Sequence, residues 1–276
     1  MQVTRSGYYA YQKRKAASSR DAADAAQASE VRQCFYFHRR RYGSRRIAKQ
    51  LKMGRFRVRS IMKRENLRAI QPKSFVPRTT DSRHGGRISP NLLKNLTGER
   101  HQAGEAVVGD ITYLPLSNGR WCYLATFQDK WTRRIIGWEI SEQMTADLVV
   151  KALQMALRGG RIRPHAIIHT DRGSQYVSDV YRNLLQAHGL RQSMSGKGNC
   201  YDNAQAESFF SRFKAELVEN GQFESVAQAR TETFSYIEGY YNRIRLHSSL
   251  GYLSPMEFEK QLEIKNKRSR ESFVSI

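Results

Sequence analysis

The second half of the chain alternates β-branched and aromatic runs with amphipathic stretches. Three apolar runs, residues 106–116, 121–128 and 134–140, are separated by short turn sequences. Runs joined in this way are typical of antiparallel strands, so the pattern predicts three consecutive strands. Residues 145–158 then carry apolar positions at helical spacing and are followed by a Gly-Gly pair, which predicts a helix.

Shorter elements complete this pattern. Residues 165–170 and 190–194 predict strands, and residues 178–188 and 202–217 predict helices, the last of them capped by Asp202. The predicted element order is βββαβαβα. An α/β fold with a mixed sheet follows from it.

The first half has a helical pattern of a different kind. Residues 31–41 predict one helix, Ser44 is expected to cap a second, and a Met-Gly turn leads into a third. The third helix has a predicted apolar stripe of Phe56, Val58, Ile61 and Met62. This arrangement predicts a helix-turn-helix. The alternative is a small three-helix bundle whose basic residues form only its polar face.

Charge divides the chain into the same two halves. The sequence has 47 Lys and Arg against 25 Asp and Glu, a net charge of +22. Residues 1–103 hold 25 of the basic and 6 of the acidic residues, whereas residues 104–276 have a net charge of only +3. So uneven a distribution indicates a segment that binds phosphates, and hence nucleic acid. With 39% hydrophobic residues, wholesale disorder is excluded.

The basic residues of the helical half are candidate DNA contacts. Arginines outnumber acidic residues around the third helix. This excess is expected of a helix that lies in a DNA groove and contacts phosphates. The predicted DNA-binding residues of this segment are Arg45, Arg46, Arg55, Arg57, Arg59, Lys63 and Arg64.

Five segments are expected along the chain. They are a basic N-terminal arm (1–30), a helix-turn-helix-like domain (31–69), a basic linker with three prolines (70–103), an α/β core (104–261) and a C-terminal tail (262–276).

Cysteine usage and hydropathy limit the class of protein. Cys34, Cys122 and Cys200 include no C-x-x-C pair, which argues against a disulfide framework and against a cysteine zinc site. The sequence has no run of 18 apolar residues and no signal-peptide pattern at its start. We therefore expect a soluble cytoplasmic protein without a membrane partner.

Three acidic residues occupy special points of the α/β pattern. Asp110 lies within a strand whose other residues suit burial, Asp171 directly follows an apolar strand, and Glu207 lies in the first turns of a helix. Sixty residues separate the two aspartates, and 35 separate Asp171 from Glu207. Carboxylates that converge at one end of a sheet repel each other unless cations lie between them. Asp129 and Asp202 are rival acids, but a turn and a helix cap account for them.

A D…D-35-E set on this order of elements resembles the ribonuclease-H-like core of DDE transposases and retroviral integrases. The flanking sequences resemble those of bacterial insertion-sequence transposases of the OrfB type: Gly-Asp-Ile-Thr-Tyr at Asp110, His-Thr-Asp-Arg-Gly-Ser-Gln-Tyr at Asp171, and Lys-Gly-Asn-Cys-Tyr-Asp-Asn-Ala before Glu207. The likeness covers nearly the whole chain. It implies a ribonuclease-H-like mixed sheet preceded by a small all-α helix-turn-helix domain.

The resemblance also implies a metal-dependent reaction on DNA. Asp110, Asp171 and Glu207 would bind two Mg²⁺ ions, with Mn²⁺ as a substitute, because oxygen ligands without His or Cys favour hard cations. Such a site can nick DNA to free a 3′-OH and then join that 3′-OH to a target. Lys197 and Lys214 are further candidate DNA contacts, and Lys214 shares a helix face with Glu207.

The expected partners are double-stranded DNA, at the element ends and the target, and further copies of the chain. The resemblance implies a partner protein from an upstream reading frame and a nucleoid-associated location in a bacterium. Two alternatives remain open. One is a DNA-binding regulator or inactive element remnant, and the other is a structure-specific nuclease of the same fold.

Overall fold

The computed structural model describes residues 4–71, 87–96, 101–196, 204–218 and 222–274. The chain divides into two compact units, Met1–Gln71 and Pro72–Ile276. Within the described ranges, no helix combines the length and the apolar character needed to cross a bilayer.

The described part of the first unit is helical. Helix α1 spans Arg5–Phe37, α2 spans Ser44–Gln50 and α3 spans Arg55–Arg64. The predicted first helix, residues 31–41, is therefore only the last part of a longer helix that includes the predicted arm and ends at Phe37. Alanine, the strongest helix former, is frequent in this part of α1, where no apolar periodicity marks a helix.

A small apolar core joins these helices. Val31 and Phe35 of α1, Ile47 of α2 and Val58 and Ile61 of α3 are almost completely buried. The α2–turn–α3 arrangement confirms the predicted helix-turn-helix pattern.

Two details of that pattern were predicted wrongly. Gly43, not Ser44, is the N-cap residue of α2, and no side chain caps this helix. Phe56 is 84% exposed, so it lies outside the apolar stripe that Val58, Ile61 and Met62 form. As the second residue of α3, Phe56 points away from the unit's own core.

The second unit is built on a five-stranded mixed sheet in its described part. The strands are β1 (Ala106–Pro115), β2 (Trp121–Asp129), β3 (Ile135–Ser141), β4 (Ile167–Thr170) and β5 (Arg191–Met194), in the spatial order β3-β2-β1-β4-β5. β1, β2 and β3 form an antiparallel meander, whereas β4 pairs with both β1 and β5 in parallel.

Helices follow the strands as predicted. They are α4 (Ala146–Arg158), α5 (Ser174–Val177), α6 (Asp179–Ala187) and α7 (Ala204–Leu217). The order βββαβαβα is confirmed, with one addition, because the single helix predicted between β4 and β5 is preceded by the short α5. The predicted cap Asp202 lies outside the described residues.

Each face of the sheet has its own apolar core. On one face, α4, α5 and α6 contribute Val149, Leu153, Tyr176 and Tyr181 to a cluster with Ile168 of β4. On the other face, aromatic residues of α7 and of the segment after it pack on β1, β2 and β3: Phe209, Phe210, Phe213, Tyr236 and Tyr241. The sheet is therefore covered on both sides.

The C-terminal part continues with α8 (Val226–Phe234), a π-helical segment (Ser235–Tyr241) and α9 (Pro255–Val274). Helix α9 extends through most of the predicted tail. Within the π-helical segment, both Tyr236 and Tyr241 are buried. The Tyr236 hydroxyl donates to Glu216 of α7 at 2.8 Å, and the Tyr241 hydroxyl oxygen accepts from Gln128 of β2 at 2.9 Å.

Part of the predicted linker lies along strand β5. The Met194 amide donates to the Pro90 carbonyl at 3.4 Å, and the Leu92 amide donates to the Ser193 hydroxyl at 2.9 Å. Residues 87–96 thereby cover an edge of the sheet that would otherwise expose unpaired backbone groups.

Candidate active site

Asp110 and Asp171 come together through the parallel pairing of β1 and β4. Val107 pairs with Ile168 and Val108 with His169. Continuing this register by two residues brings Asp110 level with Asp171, directly after the last residue of β4. The fold thus brings the two predicted residues level with each other, and their role as metal ligands stays a prediction.

A glycine allows the two strands to approach at this point. A Cβ added to Gly109 would lie 3.2 Å from Thr170 Cγ2 and 2.6 Å from a ring carbon of Phe127. Any larger residue would therefore push β1 away from its neighbours, one position before Asp110.

Local hydrogen bonds orient both carboxylates. The Asp110 side chain accepts from the Ile111 amide at 2.8 Å. The Asp171 side chain accepts from the Gly173 amide at 3.0 Å. Beside it, the Arg172 guanidinium donates to the Ser195 carbonyl at 2.8 Å and joins the turn after β4 to the residue after β5.

Glu207 lies on a helix that runs along β1. At the start of α7, Gln205 donates to the Asp129 carbonyl at 3.1 Å, and Asp129 pairs with Val107 of β1. Nearer its end, the Lys214 ammonium lies 4.0 Å from the centre of the Tyr113 ring. The exposed Glu207 side chain therefore belongs to the part of α7 that flanks Asp110.

The three acids are not assembled into a metal cluster in this structure. Among the described residues, no group of three or more His, Cys, Asp and Glu side chains is close enough to hold a metal ion. Asp110 and Asp171 are level in the continued register of β1 and β4, and Glu207 lies on the helix that runs along β1. Helix α7 follows directly on residues 197–203, which lie outside the described part of the chain. The complete triad stays a prediction.

Lys214 belongs to the same region. Its pKa is lowered by burial, and the negative charge of Asp110 partly offsets this effect. The ammonium therefore lies within electrostatic range of Asp110, as expected for a cation beside the predicted site. The other predicted lysine, Lys197, lies outside the described residues.

The rival acid Asp129 has a structural environment. Its carboxylate accepts from the Gly104 amide at 2.6 Å and from the Thr132 amide and hydroxyl at 2.7 and 2.8 Å. Burial raises its pKa, and these hydrogen bonds act in the opposite direction. Asp129 thus stabilises the turn between β2 and β3.

Sequence reasoning did not find two buried polar groups near the candidate site. One is Tyr176, whose ring lies beneath the turn that holds Asp171. The other is the ion pair between Glu216 of α7 and Arg245, whose Nη2 and Oε1 atoms are 2.6 Å apart. No local sequence pattern distinguishes Tyr176 from other core aromatic residues. The ion pair has no local pattern either, because its acid and its base are 29 positions apart.

The predicted DNA contacts of the first unit fall into two groups. Five basic residues of α2 and α3 are exposed: Arg45, Arg55, Arg59, Lys63 and Arg64. Arg46 is partly buried, and its guanidinium carbon lies 5.6 Å from the centre of the Tyr42 ring.

Arg57 differs from the exposed group. It forms an ion pair with Asp24 and donates to Gln27 at 3.0 Å, both on α1. Its guanidinium therefore joins α3 to α1, and its contact with DNA stays a prediction.

A mixed sheet in this order, covered by helices on both faces, is the fold of an integrase-type core, a polynucleotidyl transferase class. Two family models described as integrase core domain match residues 100–200 and 188–255, and a model described as HTH-like domain matches residues 21–75. Transposase InsF for insertion sequence IS3A from Escherichia coli (strain K12) is 40% identical over 269 residues, which cover 95% of this chain and 92% of that protein. The chain belongs to this family of insertion-sequence transposases.

The chain is also similar to an insertion-element protein and to a solved structure. The insertion element IS600 uncharacterized 31 kDa protein from Shigella sonnei is 39% identical over 264 residues, which cover 94% of this chain and 96% of that protein. Among solved structures, the simian T-cell lymphotropic virus intasome in complex with PP2A regulatory subunit B56 gamma has a TM-score of 0.48 at 14% identity, over 83% of this chain and 74% of that chain.

Proposed function

We propose that this transposase nicks DNA at the 3′ ends of its insertion sequence and joins the freed ends to a target in a metal-dependent reaction. The observation that carries the proposal is the parallel register that brings Asp110 level with Asp171. Glu207, on the helix beside β1, is the proposed third ligand.

The residues at this place fit a hard divalent cation. Two adjacent carboxylates supply oxygen atoms and negative charge, and their mutual repulsion is relieved by a bound cation. We propose two Mg²⁺ ions, with Mn²⁺ as a substitute. Bound there, the ions would neutralise charge on the phosphodiester and activate the attacking oxygen.

The chain's own residues orient this reaction. The Ile111 and Gly173 amides donate hydrogen bonds to the carboxylates of Asp110 and Asp171. Lys214 supplies a positive charge beside Asp110, where it would bind a phosphate of the DNA backbone. Glu207, at the start of α7, would complete the ligand set.

The first unit would bind the element ends. Exposed basic residues along α3, Arg55, Arg59, Lys63 and Arg64, suit a recognition helix in the major groove, with phosphates contacted on either side. Joining two ends to one target favours a homo-oligomer on the DNA, in the bacterial nucleoid. An upstream-frame protein would contribute to pairing of the ends.

The test is incubation of the purified chain with labelled element-end DNA and Mg²⁺, followed by separate detection of nicked and joined products. Asp110→Ala, Asp171→Ala and Glu207→Ala should each retain DNA binding and lose both products. Full activity of any one variant would refute the role of that residue.

Products of the unchanged chain separate the remaining alternatives. Binding without cleavage would indicate a regulator or an inactive remnant. Cleavage of branched DNA without joining would indicate a nuclease.

A further inference from the structure

Tyr176 lies beside Gly173, in the turn that carries Asp171. It belongs to α5, is 1% exposed, and its amide donates to the Gly173 carbonyl at 3.0 Å. A Cβ added to Gly173 would lie 3.2 Å from Asp171 Oδ1 and 3.6 Å from Tyr176 Cδ2. The carboxylate and the phenol ring therefore flank the same glycine.

The hydroxyl group of Tyr176 has a specific electrostatic environment. Burial is the main cause that raises its pKa well above 10, and the negative charges of Asp171 and Asp110 raise it further. The phenol thus remains protonated at any physiological pH and lies within range of both carboxylates. A protonated phenol is a hydrogen-bond donor.

This donor is unused among the described residues. The Tyr176 hydroxyl is buried and has no hydrogen-bond partner there. An unpaired buried hydroxyl costs free energy, and a phenylalanine would fill the same space without that cost. Core packing alone therefore explains the ring of Tyr176 but not its hydroxyl.

We propose that Tyr176 is a positioning residue for the metal-binding aspartates: its hydroxyl donates a hydrogen bond to Asp171 when that carboxylate takes its metal-bound orientation. The inference rests on the proposed function. This hydrogen bond would orient the Asp171 carboxylate, whose remaining lone pairs would be available to the cation. The same bond would offset the free-energy cost of the buried hydroxyl.

Tyr181 provides a matched comparison within the same core. It is completely buried, its ring centroid lies 5.4 Å from that of Tyr176, and its hydroxyl also has no partner among the described residues. Its pKa is raised by burial alone, with no contribution from either aspartate. Tyr181 therefore shares the packing and the buried hydroxyl of Tyr176, but not its position beside the carboxylates.

The experiment compares the unchanged full-length chain with Tyr176→Phe and Tyr181→Phe. Thermal unfolding at increasing MgCl₂ concentrations gives one half-saturating Mg²⁺ concentration, in the absence of DNA. Nicking of labelled element-end DNA at increasing MgCl₂ concentrations gives a second one. Tyr176→Phe should raise both values roughly ten- to a hundredfold, the usual loss when a residue that orients a metal ligand is removed. Tyr181→Phe should change neither, and both variants should melt without metal at or above the temperature of the unchanged chain.

Equal half-saturating concentrations for Tyr176→Phe and the unchanged chain would overturn the inference and leave the proposed function intact. If the unchanged chain itself showed neither Mg²⁺-dependent stabilisation nor nicking, the proposed function would fail, and the inference with it. Should Tyr176→Phe not be recovered folded, Tyr176→Met, which also lacks the hydroxyl, replaces it in the same comparison.

Discussion

The guanidinium of Arg245 and the carboxylate of Glu216 form a buried ion pair with donor–acceptor distances of 2.6, 2.9 and 3.2 Å. Both side chains are less than 5% exposed, and the hydroxyl of Tyr236 donates to the same carboxylate. The pair joins the end of α7 to the C-terminal segment. It therefore fixes the helix that carries Glu207.

Removal of one partner should strongly destabilise the second unit. Arg245→Ala leaves the Glu216 carboxylate buried without its cation, so we expect a loss of about 3–5 kcal/mol in the free energy of unfolding. Urea denaturation measures this loss. The control is Arg120→Ala, which breaks a surface pair with Glu142 between side chains that are 63% and 55% exposed and should cost less than about 1 kcal/mol. Equal effects of the two variants would contradict the role assigned to the buried pair.

Asp171→Asn should separate stability from activity. Because it removes one of two adjacent negative charges, we expect a gain in the free energy of unfolding on the order of 1 kcal/mol without metal. The same change should remove the stabilisation by Mg²⁺ and reduce nicking by more than about a hundredfold. Calorimetry with and without MgCl₂ checks both effects.

Asp129→Asn is the matched variant for that measurement. The Asp129 carboxylate accepts several hydrogen bonds in the turn after β2, and an amide retains only some of them. A loss of roughly 1–3 kcal/mol is expected here, with the Mg²⁺ response preserved. If Asp129→Asn stabilised the protein instead, the Asp129 carboxylate would be shown to repel the other acidic side chains.

Lys214 should make DNA binding depend on pH. Its pKa is lowered from 10.5, chiefly by burial, so the folded chain loses this positive charge at a lower pH than an exposed lysine does. Affinity for element-end DNA should therefore fall as the pH rises through that lowered value. Lys214→Arg, which stays charged, should retain its affinity over the same range. Fluorescence anisotropy titrations at pH values between neutral and alkaline measure the difference, and identical profiles for the two proteins would exclude Lys214 from the DNA interface.

Two arginines of α3 should respond in opposite ways. Arg59 is exposed, so Arg59→Ala should weaken DNA binding and reduce the slope of log affinity against log salt concentration by about 1. Arg57 joins Asp24 and Gln27 of α1, so Arg57→Ala should lower the free energy of unfolding by up to about 1 kcal/mol and leave the slope nearly unchanged. Titrations at several salt concentrations distinguish the two arginines. A lower slope for Arg57→Ala would show that Arg57 also contacts a phosphate.

The sequence was sufficient where a local pattern determines the structure. Alternating apolar residues placed β1 and β4, and the parallel pairing that follows from the element order brings Asp110 and Asp171 together. The start of α1 was missed because an alanine-rich helix has high propensity but no apolar face. Phe56 was assigned to the apolar stripe as an aromatic residue of α3, but it stands two positions before Val58 and therefore lies on the opposite side of the helix.

Other features depend on contacts between distant parts of the chain. The partner of Glu216 follows it by 29 positions, and Arg57 finds its partners on another helix. No spacing rule relates such residues. The neighbourhood of Tyr176 likewise arises only when α5 packs beneath the sheet.

The π-helical segment accommodates one extra residue between two inward-facing tyrosines. In an α-helix, Tyr236 and Tyr241 would point about 140° apart, because each residue turns the chain by about 100°. The wider π turn lets both face inward, so that one reaches Glu216 and the other Gln128. Deletion of Gly239, which is exposed and has no heavy atom within 4 Å of an added Cβ, would leave the two tyrosines four positions apart, where α-helical winding turns them only about 40° from each other, so both connections should survive. The contacts that hold helix α7 and strand β2 should therefore tolerate a frame-preserving three-nucleotide deletion at this position.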